Sequence, residues 1–368
     1  MNRRKFIKRT ALFAAPALAV PLFVRFNPFA YSAQNLFSRL SLGSENDNRI
    51  LVLIQLNGGN DGLNTVIPVD KYHILSQARK DILIPENKIL KLPDSSVFGF
   101  HPSMELLQKL YNDKLMTIVQ GVGYPDPDFS HFRGINIKYT ANTDKQESRS
   151  GWVGRYLEQK YPNYPKGYPL QKSDGPPALR IGVNVSPKIA QGAEEDFSVG
   201  ISNVADFDSL DITTSDNDPV SANLGGMNVS MIRSLSDQIR LYAPVIQEHS
   251  KRGQNLSKLY PEGGKNSLAD QLKTIARLIS SGLNTRVYVV NQSGYDTHSD
   301  QVDKSDTTQG IHANLLKNLS EAIFAFQDDM QLMGKQDQVI GMTFSEFGRR
   351  ITSSASYGTD HGTAETVL

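Results

Sequence analysis

The chain has 368 residues, with 39 Lys and Arg against 38 Asp and Glu, so its formal net charge is +1. Hydrophobic residues make up 39% and charged residues 21%, a composition typical of a globular protein rather than a disordered or collagen-like one. The chain contains no cysteine, which excludes disulfides, thiolate zinc sites, iron–sulfur clusters and cysteine nucleophiles.

Charge is unevenly distributed along the chain. Residues 1–33 hold six basic residues and no acidic one. The remaining residues hold 33 basic and 38 acidic side chains, a net charge of −5. A mildly acidic body without a basic stripe argues against nucleic acid as a partner.

The basic N-terminus is typical of a twin-arginine signal peptide over residues 1–33. It begins NRRKFIK, with paired arginines before a phenylalanine and a lysine, and an apolar stretch follows at residues 11–24. This stretch is shorter than the roughly 20 residues of a membrane span. A basic amphipathic anchor helix is the structural alternative.

The signal predicts export through the twin-arginine translocase, with cleavage after either Ala19 or Ser32. We therefore expect a periplasmic or secreted mature protein without a transmembrane span. An uncleaved signal would instead tether the protein to the membrane.

Beyond the signal, apolar runs alternate with helical patterns, which predicts an α/β domain with a mostly parallel sheet over residues 45–368. The predicted strands are Ile50–Leu56, Leu115–Val119, Arg286–Asn291 and Gln338–Phe344. The predicted helices are Pro102–Asn112, Val229–Glu248, Ser267–Ser281 and Ile311–Leu332. Residues 143–226 are rich in Pro, Gly, Ser and Asp, so we interpret this region as an insertion or cap over the sheet.

Each predicted strand is followed by polar residues suited to binding a ligand. Ligands of open α/β sheets bind outside the carboxyl ends of the strands, so these residues would meet at one edge. The candidates are Asp61 after the first strand, Ser130 and His131 after the second, Asp296 and His298 after the third, Glu346 and Arg349 after the fourth, and Asp360 and His361 further on.

The first candidates have ordinary structural alternatives. Asp61 lies in a glycine-rich turn and is either a turn-capping aspartate or a metal ligand. Ser130 is either the N-cap of a helix or a nucleophile. His131 is a metal ligand, a general base or a histidine packed for structure.

The later candidates form a second group. Asp296 and His298 lie two residues apart, a spacing at which both can bind one cation, although a solvated turn is the alternative. Glu346 follows a buried strand, where a lone carboxylate is costly unless paired or metal-bound. Arg349 either neutralises Glu346 or holds an anionic substrate. We expect ordinary structural roles for the histidines outside these clusters, His73, His101, His249 and His312.

Six motifs together resemble an exported bacterial family catalogued as domain-of-unknown-function family 1501, which is similar in fold to alkaline phosphatases and sulfatases. The resemblance covers nearly the whole chain. Its motifs are LNGGNDGLNTVIP (56–68), GVGYPDPDFSHFRG (121–134), SGWVGRYL (150–157), SGYDTHSDQ (293–301), FSEFGRR (344–350) and GTDHGTA (358–364).

The resemblance implies an alkaline-phosphatase-like three-layer sandwich, with helices on both faces of the sheet, and a centre holding a divalent metal. Zinc is the first expectation, with manganese, magnesium or calcium as alternatives. By analogy, the implied metal ligands are Asp61, Asp296, His298, Glu346, Asp360 and His361, and the implied catalytic residues are Ser130, His131 and Arg349.

The chain also departs from the superfamily pattern. Where the superfamily has an Asp-His-Gly element, this chain has Ser345-Glu346-Phe347-Gly348. The replacement keeps a carboxylate but loses an imidazole, which favours either one metal ion instead of two or a more oxygen-rich site. The residues after Ser130 lack the pattern for conversion to formylglycine, which argues against that type of sulfatase. The family fold is expected to continue past Leu368, so the chain resembles a truncated product.

The leading hypothesis is a metal-dependent hydrolase of phosphate or related ester bonds that acts on a small anionic ester. A second hypothesis is a non-catalytic exported binding or assembly protein that retains the fold. A third is an envelope- or carbohydrate-associated protein that uses residues 143–226 as its recognition surface.

Overall fold

The computed structural model describes residues 48–144, 148–202 and 224–368. These residues form ten strands and eight helices. The predicted signal peptide at 1–33 lies outside them. The strands in chain order are β1 (Ile50–Asn57), β2 (Val66–Pro68), β3 (Leu90–Leu92), β4 (Ser95–Phe100), β5 (Val119–Val122), β6 (Ala178–Ile181), β7 (Ser198–Ile201), β8 (Val287–Ser293), β9 (Val339–Phe344) and β10 (Glu365–Val367).

Helices alternate with the strands of the sheet, and short 3₁₀ turns complete several connections. The helices are α1 (Gly62–Thr65), α2 (Tyr72–Ala78), α3 (Glu105–Asn112), α4 (His131–Thr140), α5 (Trp152–Lys160), α6 (Leu224–Arg252), α7 (Ser267–Ser280) and α8 (Ile311–Leu332). None of the helices in the described part of the chain is long and apolar enough to cross a membrane.

The central sheet has five parallel strands in the order β7-β6-β8-β1-β9. Its middle strand pairs are in register, with Leu53 of β1 opposite Val289 of β8 and Met342 of β9. Leu53 and Val289 are fully buried, as expected for the near-continuous apolar strands of a parallel sheet covered on both faces. Helices α7 and α8 pack against each other, and α8 also contacts α3.

Two smaller sheets lie outside the parallel one. Strands β2, β4 and β3 form an antiparallel sheet, and β5 pairs antiparallel with β10. All three sheets belong to one unit, Asn48–Leu368.

The structure confirms most of the predicted elements. Three predicted strands correspond to β1, β8 and β9, and the four predicted helices correspond to α3, α6, α7 and α8. The α/β class with a mostly parallel sheet is therefore correct.

The predicted strand Leu115–Val119 is wrong. Only Val119 belongs to a strand, and that strand, β5, lies in the separate two-stranded sheet. Leu115 and Val119 are both exposed, whereas an interior strand of a parallel sheet is covered on both faces. An apolar run of this length does not by itself distinguish a buried strand from a connection.

The remaining two strands of the central sheet come from residues 143–226. Both β6 and β7 lie in this region, and each is only four residues long. The region expected to form an insertion or cap therefore supplies one edge of the sheet. Part of it lies outside the described residues.

Candidate metal centre

Three adjacent strands deliver the candidate site. The carboxyl ends of β8, β1 and β9 lie side by side in the sheet, and the loops that follow carry Asp296 and Glu346. The β1 loop approaches the β8 loop closely at Gly58, whose φ is +120°. A Cβ there would lie 2.2 Å from the backbone nitrogen of Asp296, so only glycine permits this approach.

Three imidazoles converge on one carboxylate oxygen. Relative to Oδ1 of Asp296, Nε2 of His131 lies at 3.4 Å, Nε2 of His298 at 3.1 Å and Nε2 of His361 at 3.4 Å. In His131, Asp296 and His361, one ligand atom from each residue lies within 4.8 Å of the others, so this group could hold a metal ion. We call the four residues the His/Asp cluster.

The other ring nitrogen of each histidine has its own partner. Nδ1 of His131 is 3.3 Å from Oε1 of Glu346, and Nδ1 of His298 is 3.2 Å from Oδ1 of Asp360. Nδ1 of His361 lies 2.6 Å from the carbonyl oxygen of Phe129. Outer hydrogen bonds of this kind orient the ring of a metal-binding histidine and leave Nε2 for the ion.

The protonation state of His361 follows from its surroundings. A carbonyl oxygen only accepts hydrogen bonds, so Nδ1 carries the proton. Burial lowers the pKa of His361, and the Arg349 guanidinium and His131 act in the same direction. The ring is therefore neutral near pH 7, with an unprotonated Nε2 facing Asp296.

The closest contact in the His/Asp cluster joins two imidazole nitrogens. Nε2 of His361 and Nε2 of His298 are 2.8 Å apart. If His298 also donates from Nδ1 to Asp360, two lone pairs face each other unless a proton or a cation lies between them. Nitrogen donors beside a carboxylate oxygen are a set that zinc binds well. The side chains present thus fit a metal ion.

Arg349 holds the carboxylate of the cluster. Nη2 of Arg349 donates to Oδ1 of Asp296 at 2.6 Å. Burial would raise the pKa of Asp296, but the hydrogen bond and charge of Arg349, with His131 and His298, hold that pKa below its ordinary value. Asp296 is therefore ionised at neutral pH, as a metal ligand must be.

The structure does not place Arg349 where it can hold a substrate. Its side chain is 0% exposed, and it donates to the carbonyls of Gly58, Gly59, Tyr295 and Thr359. These contacts join the loops after β1 and β8 to the segment before His361. The arginine predicted to bind an anion instead fixes the loops and orients Asp296.

Asp61 is not brought into the His/Asp cluster. Its carboxylate pairs with Arg79 at 3.1 Å, with both side chains 0% exposed, and it accepts from Nε2 of Gln301 at 2.7 Å. Burial would raise the pKa of Asp61, but the charge of Arg79, together with His312 and Gln301, outweighs burial and lowers that pKa below its ordinary value. Of the two roles predicted for Asp61, the structure shows the turn-capping one: its Oδ1 accepts from the backbone nitrogen of Leu63 at 3.2 Å. The carboxylate is also the buried partner of an arginine 18 residues further on.

Glu346 and Asp360 lie around the cluster rather than inside it. Glu346 is 5% exposed, and its Oε1 accepts from the backbone nitrogen of Gly58 at 2.8 Å as well as facing His131. Asp360 is exposed and faces His298 and Arg350. Both predicted ligands therefore support the histidines from their outer nitrogens.

Ser130 stands at the start of α4, next to His131. Its Oγ is 3.5 Å from the backbone nitrogen of Arg133, a long N-cap hydrogen bond, and Ser130 is exposed. The side chain is thus open to solvent, and the N-terminal end of a helix favours negative charge. Both interpretations of Ser130, N-cap and nucleophile, are compatible with this placement.

Sequence reasoning missed a buried ion pair behind the site. Lys138 of α4 forms an ion pair with Glu365, whose side chain is 1% exposed, and Glu365 accepts from the backbone nitrogen of Ser345 at 2.5 Å. Burial raises the pKa of Glu365, and Lys138 counteracts that effect. Lys138 follows His131 by two helical turns, the only sequence signal that could have linked it to the site.

Among the comparisons with known proteins, only a family model matches the chain. A family model described as "Protein of unknown function (DUF1501)" matches residues 120–368. Neither the curated proteins nor the solved structures include a match to the chain. The matched region includes every residue of the His/Asp cluster.

Proposed function

Since the chain belongs to the DUF1501 family, whose description states no activity, we propose its function from the site: a metal-dependent hydrolase of phosphate or related ester bonds. The observation that carries this proposal is the His/Asp cluster, in which three Nε2 atoms lie 3.1–3.4 Å from one carboxylate oxygen. Their outer nitrogens are already occupied, which leaves the inner ones for an ion.

His131, Asp296, His298 and His361 would hold the metal. A donor set rich in imidazole favours zinc, with manganese next and the oxygen-seeking magnesium and calcium less suited. When bound, a divalent ion supplies positive charge that polarises a phosphoryl oxygen. One cluster of four donors, with Asp61 held by Arg79, supports one ion per chain.

Ser130 would supply the nucleophile. Its exposed Oγ would form a bond to phosphorus while the ester oxygen leaves, and the hydroxyl proton would end on the departing alcohol. Water would then release phosphate from the serine. The N-terminal end of α4 stabilises negative charge that develops beside Ser130. Arg349 would act by positioning Asp296, not by touching the substrate.

The wider assignment is by analogy. The parallel sheet with its candidate site at the carboxyl edge supports an alkaline-phosphatase-like fold in the phosphatase and sulfatase superfamily. The N-terminal twin-arginine motif supports export to the periplasm, where the substrate would be a small anionic ester or an envelope component.

The experiment measures hydrolysis of p-nitrophenyl phosphate, bis(p-nitrophenyl) phosphate and p-nitrophenyl sulfate by the zinc-loaded protein. We expect turnover of at least one ester, and a rate lower by about 10³-fold or more in Ser130→Ala. Ser76→Ala, which removes a hydroxyl bonded to the His73 carbonyl on α2, serves as the matched control. Equal rates for Ser130→Ala and Ser76→Ala would refute the role of Ser130.

A non-catalytic binding or assembly protein is the second candidate. It is favoured by the placement of Asp61 and Arg349, two residues of the predicted site that are fully engaged by other protein groups. For this candidate, zinc would raise the melting temperature while every ester remained uncleaved. Turnover that depends on Ser130 would exclude it.

A further inference from the structure

The loop after β9 contributes no residue to the His/Asp cluster, yet it contacts several of the residues that do. Oε1 of Glu346 faces Nδ1 of His131, and Nη2 of Arg349 donates to Oδ1 of Asp296. Phe347 lies in the same loop and is only 1% exposed. The proposed reaction gives this buried ring no role, although its neighbours in the loop both act on the cluster.

The ring of Phe347 packs against two imidazoles of the cluster. Its centroid lies 4.9 Å from that of His131 and 4.4 Å from that of His361, with interplanar angles of 46° and 34°. The two imidazoles are themselves 4.4 Å apart and nearly perpendicular, at 79°. Separations of about 4.5 Å are at the short end of the range for favourable aromatic pairs, so the three rings form one packed unit.

Two glycines hold the Phe347 ring at opposite edges. A Cβ at Gly59, in the loop after β1, would lie 2.5 Å from Cε2 of Phe347, and a Cβ at Gly134, in α4, would lie 3.1 Å from Cδ1. The backbone therefore approaches the ring closely at both edges, which leaves the ring little room to rotate. A ring restrained in this way is a rigid surface for the imidazoles beside it.

A flat surface supplies a restraint that the outer hydrogen bonds do not. Nδ1 of His131 faces Oε1 of Glu346, and Nδ1 of His361 faces the carbonyl oxygen of Phe129. A single hydrogen bond fixes one atom of an imidazole but lets the plane of the ring tilt about that bond. Packing against a rigid ring restricts the tilt, so Nε2 of each histidine keeps its place near Oδ1 of Asp296.

We propose that Phe347 is a positioning residue of the metal centre, whose ring holds His131 and His361 in the orientation in which both bind the ion. An apolar ring beside the ligands also limits the access of water to them. Groups that orient metal ligands from behind typically contribute about 10–100-fold to metal affinity. The inference rests on the metal centre of the proposed function but not on the ester hydrolysis.

The zinc affinity of the full chain, measured by competition with a chromogenic chelator, tests the proposal. Phe347→Leu keeps an apolar side chain but removes the flat ring, and we expect zinc affinity to fall by about tenfold or more. Phe344→Leu is the matched control, because Phe344 is also buried and its ring lies beside Tyr139, 6.3 Å between centroids. This control should lose stability but bind zinc like the parent.

The absorption spectrum of bound Co²⁺ gives a readout that a loss of stability alone would not change. This spectrum depends on the number and arrangement of the ligands, so we expect it to differ from the parent in Phe347→Leu and to match the parent in Phe344→Leu. Circular dichroism establishes that each variant is folded. If Phe347→Leu does not fold, Phe347→Met, which also removes the ring, provides the same test.

The outcomes separate this inference from the proposed function. Equal zinc affinities and equal cobalt spectra in Phe347→Leu and Phe344→Leu would overturn the role of Phe347 and leave the metal centre intact. A parent that binds neither zinc nor cobalt would overturn both. A parent that binds zinc but cleaves no ester, with the expected loss of affinity in Phe347→Leu, would remove the hydrolase and support the positioning role.

Discussion

At the scale of single residues, the same residue type has opposite roles at two strand ends. Asp61 and Asp296 both follow strands of the parallel sheet, yet Asp61 is 0% exposed against Arg79 while Asp296 is 49% exposed among three imidazoles. Each carboxylate pairs with a buried arginine, Arg79 or Arg349, so the difference lies in burial: Asp61 is enclosed with its arginine, whereas Asp296 keeps an open side beside the imidazoles. A carboxylate already neutralised in the interior is a structural element.

The Asp61–Arg79 pair is expected to be important for stability. Arg79→Met would leave the buried carboxylate unpaired, and we expect the free energy of unfolding to fall by about 3–5 kcal/mol. Urea denaturation measures this. Lys71→Met is the matched control, because its ion pair with Asp70 is solvent-exposed and should change stability by less than about 1 kcal/mol. Equal losses in both variants would contradict the structural role of Arg79.

At the scale of elements, helix α4 joins the nucleophile candidate to the metal group. Its first residue is His131 and its N-cap is Ser130, while Lys138 near its end pairs with Glu365 of β10. The Phe129 carbonyl also receives the outer hydrogen bond of His361. Three contacts along one segment thus fix the direction in which Ser130 and His131 point.

The N-cap of α4 should contribute little to stability. The hydrogen bond from the Arg133 backbone nitrogen to Oγ of Ser130 is 3.5 Å long, so we expect Ser130→Ala to lower the free energy of unfolding by under about 0.5 kcal/mol. Asn266, the N-cap of α7, accepts from Ala269 at 3.1 Å, and Asn266→Ala should cost about 1–2 kcal/mol. Chemical denaturation compares the two. A larger loss in Ser130→Ala would mean that any fall in its activity reflects unfolding.

The sequence predicts elements well where periodicity extends over many residues. Helix α8 has the predicted bounds, Ile311–Leu332, and strands β1, β8 and β9 match their apolar runs closely. The four-residue strands β6 and β7 are too short for such a pattern to stand out. Their position in the sheet depends on long-range pairing, which local residue patterns do not contain.

The sequence predicts the candidate site only in part. All four residues of the His/Asp cluster are among the predicted candidates, His131 as a catalytic residue and the other three as metal ligands. The shared edge of parallel strands accounts for Asp296 and His298, which follow β8. It does not account for His131, which follows β5 of the separate two-stranded sheet. Which atoms meet there could not be predicted, since burial and side-chain partners decide it. Glu346 and Asp360 were expected to contact the ion, but they face the outer nitrogens of His131 and His298.

At the scale of the whole molecule, two buried histidines should make stability depend on pH. Burial lowers the pKa of His101 to about 3 and that of His312 to about 4, whereas an unfolded histidine titrates near 6.5. Below pH 6.5 the unfolded chain therefore binds more protons than the folded one. The stabilising contribution is complete above about pH 6.5 and is lost as the pH falls toward 4 and then 3.

We expect each of these histidines to reduce the free energy of unfolding by up to about 1.4 kcal/mol per pH unit in that range. Urea denaturation between pH 7 and pH 5 measures the slope. His312→Gln should flatten it, whereas His73→Gln, at an exposed position on α2, should leave it unchanged. Identical slopes in the parent and His312→Gln would contradict a neutral buried His312.

The proposed metal centre requires that His131, Asp296, His298 and His361 hold one cation at the carboxyl edge of the sheet. The most direct test is zinc bound per chain after equilibrium dialysis, measured by elemental mass spectrometry on the parent, Asp296→Asn and Asp300→Asn. Asp300 is an exposed residue of the same loop with a φ of +52°, a conformation that asparagine tolerates.

We expect about one zinc ion per chain in the parent and in Asp300→Asn, and a loss of about tenfold or more in zinc affinity in Asp296→Asn. A parent that binds no zinc, manganese, magnesium or calcium, or an Asp296→Asn protein that binds zinc as tightly as Asp300→Asn, would contradict the proposed metal centre.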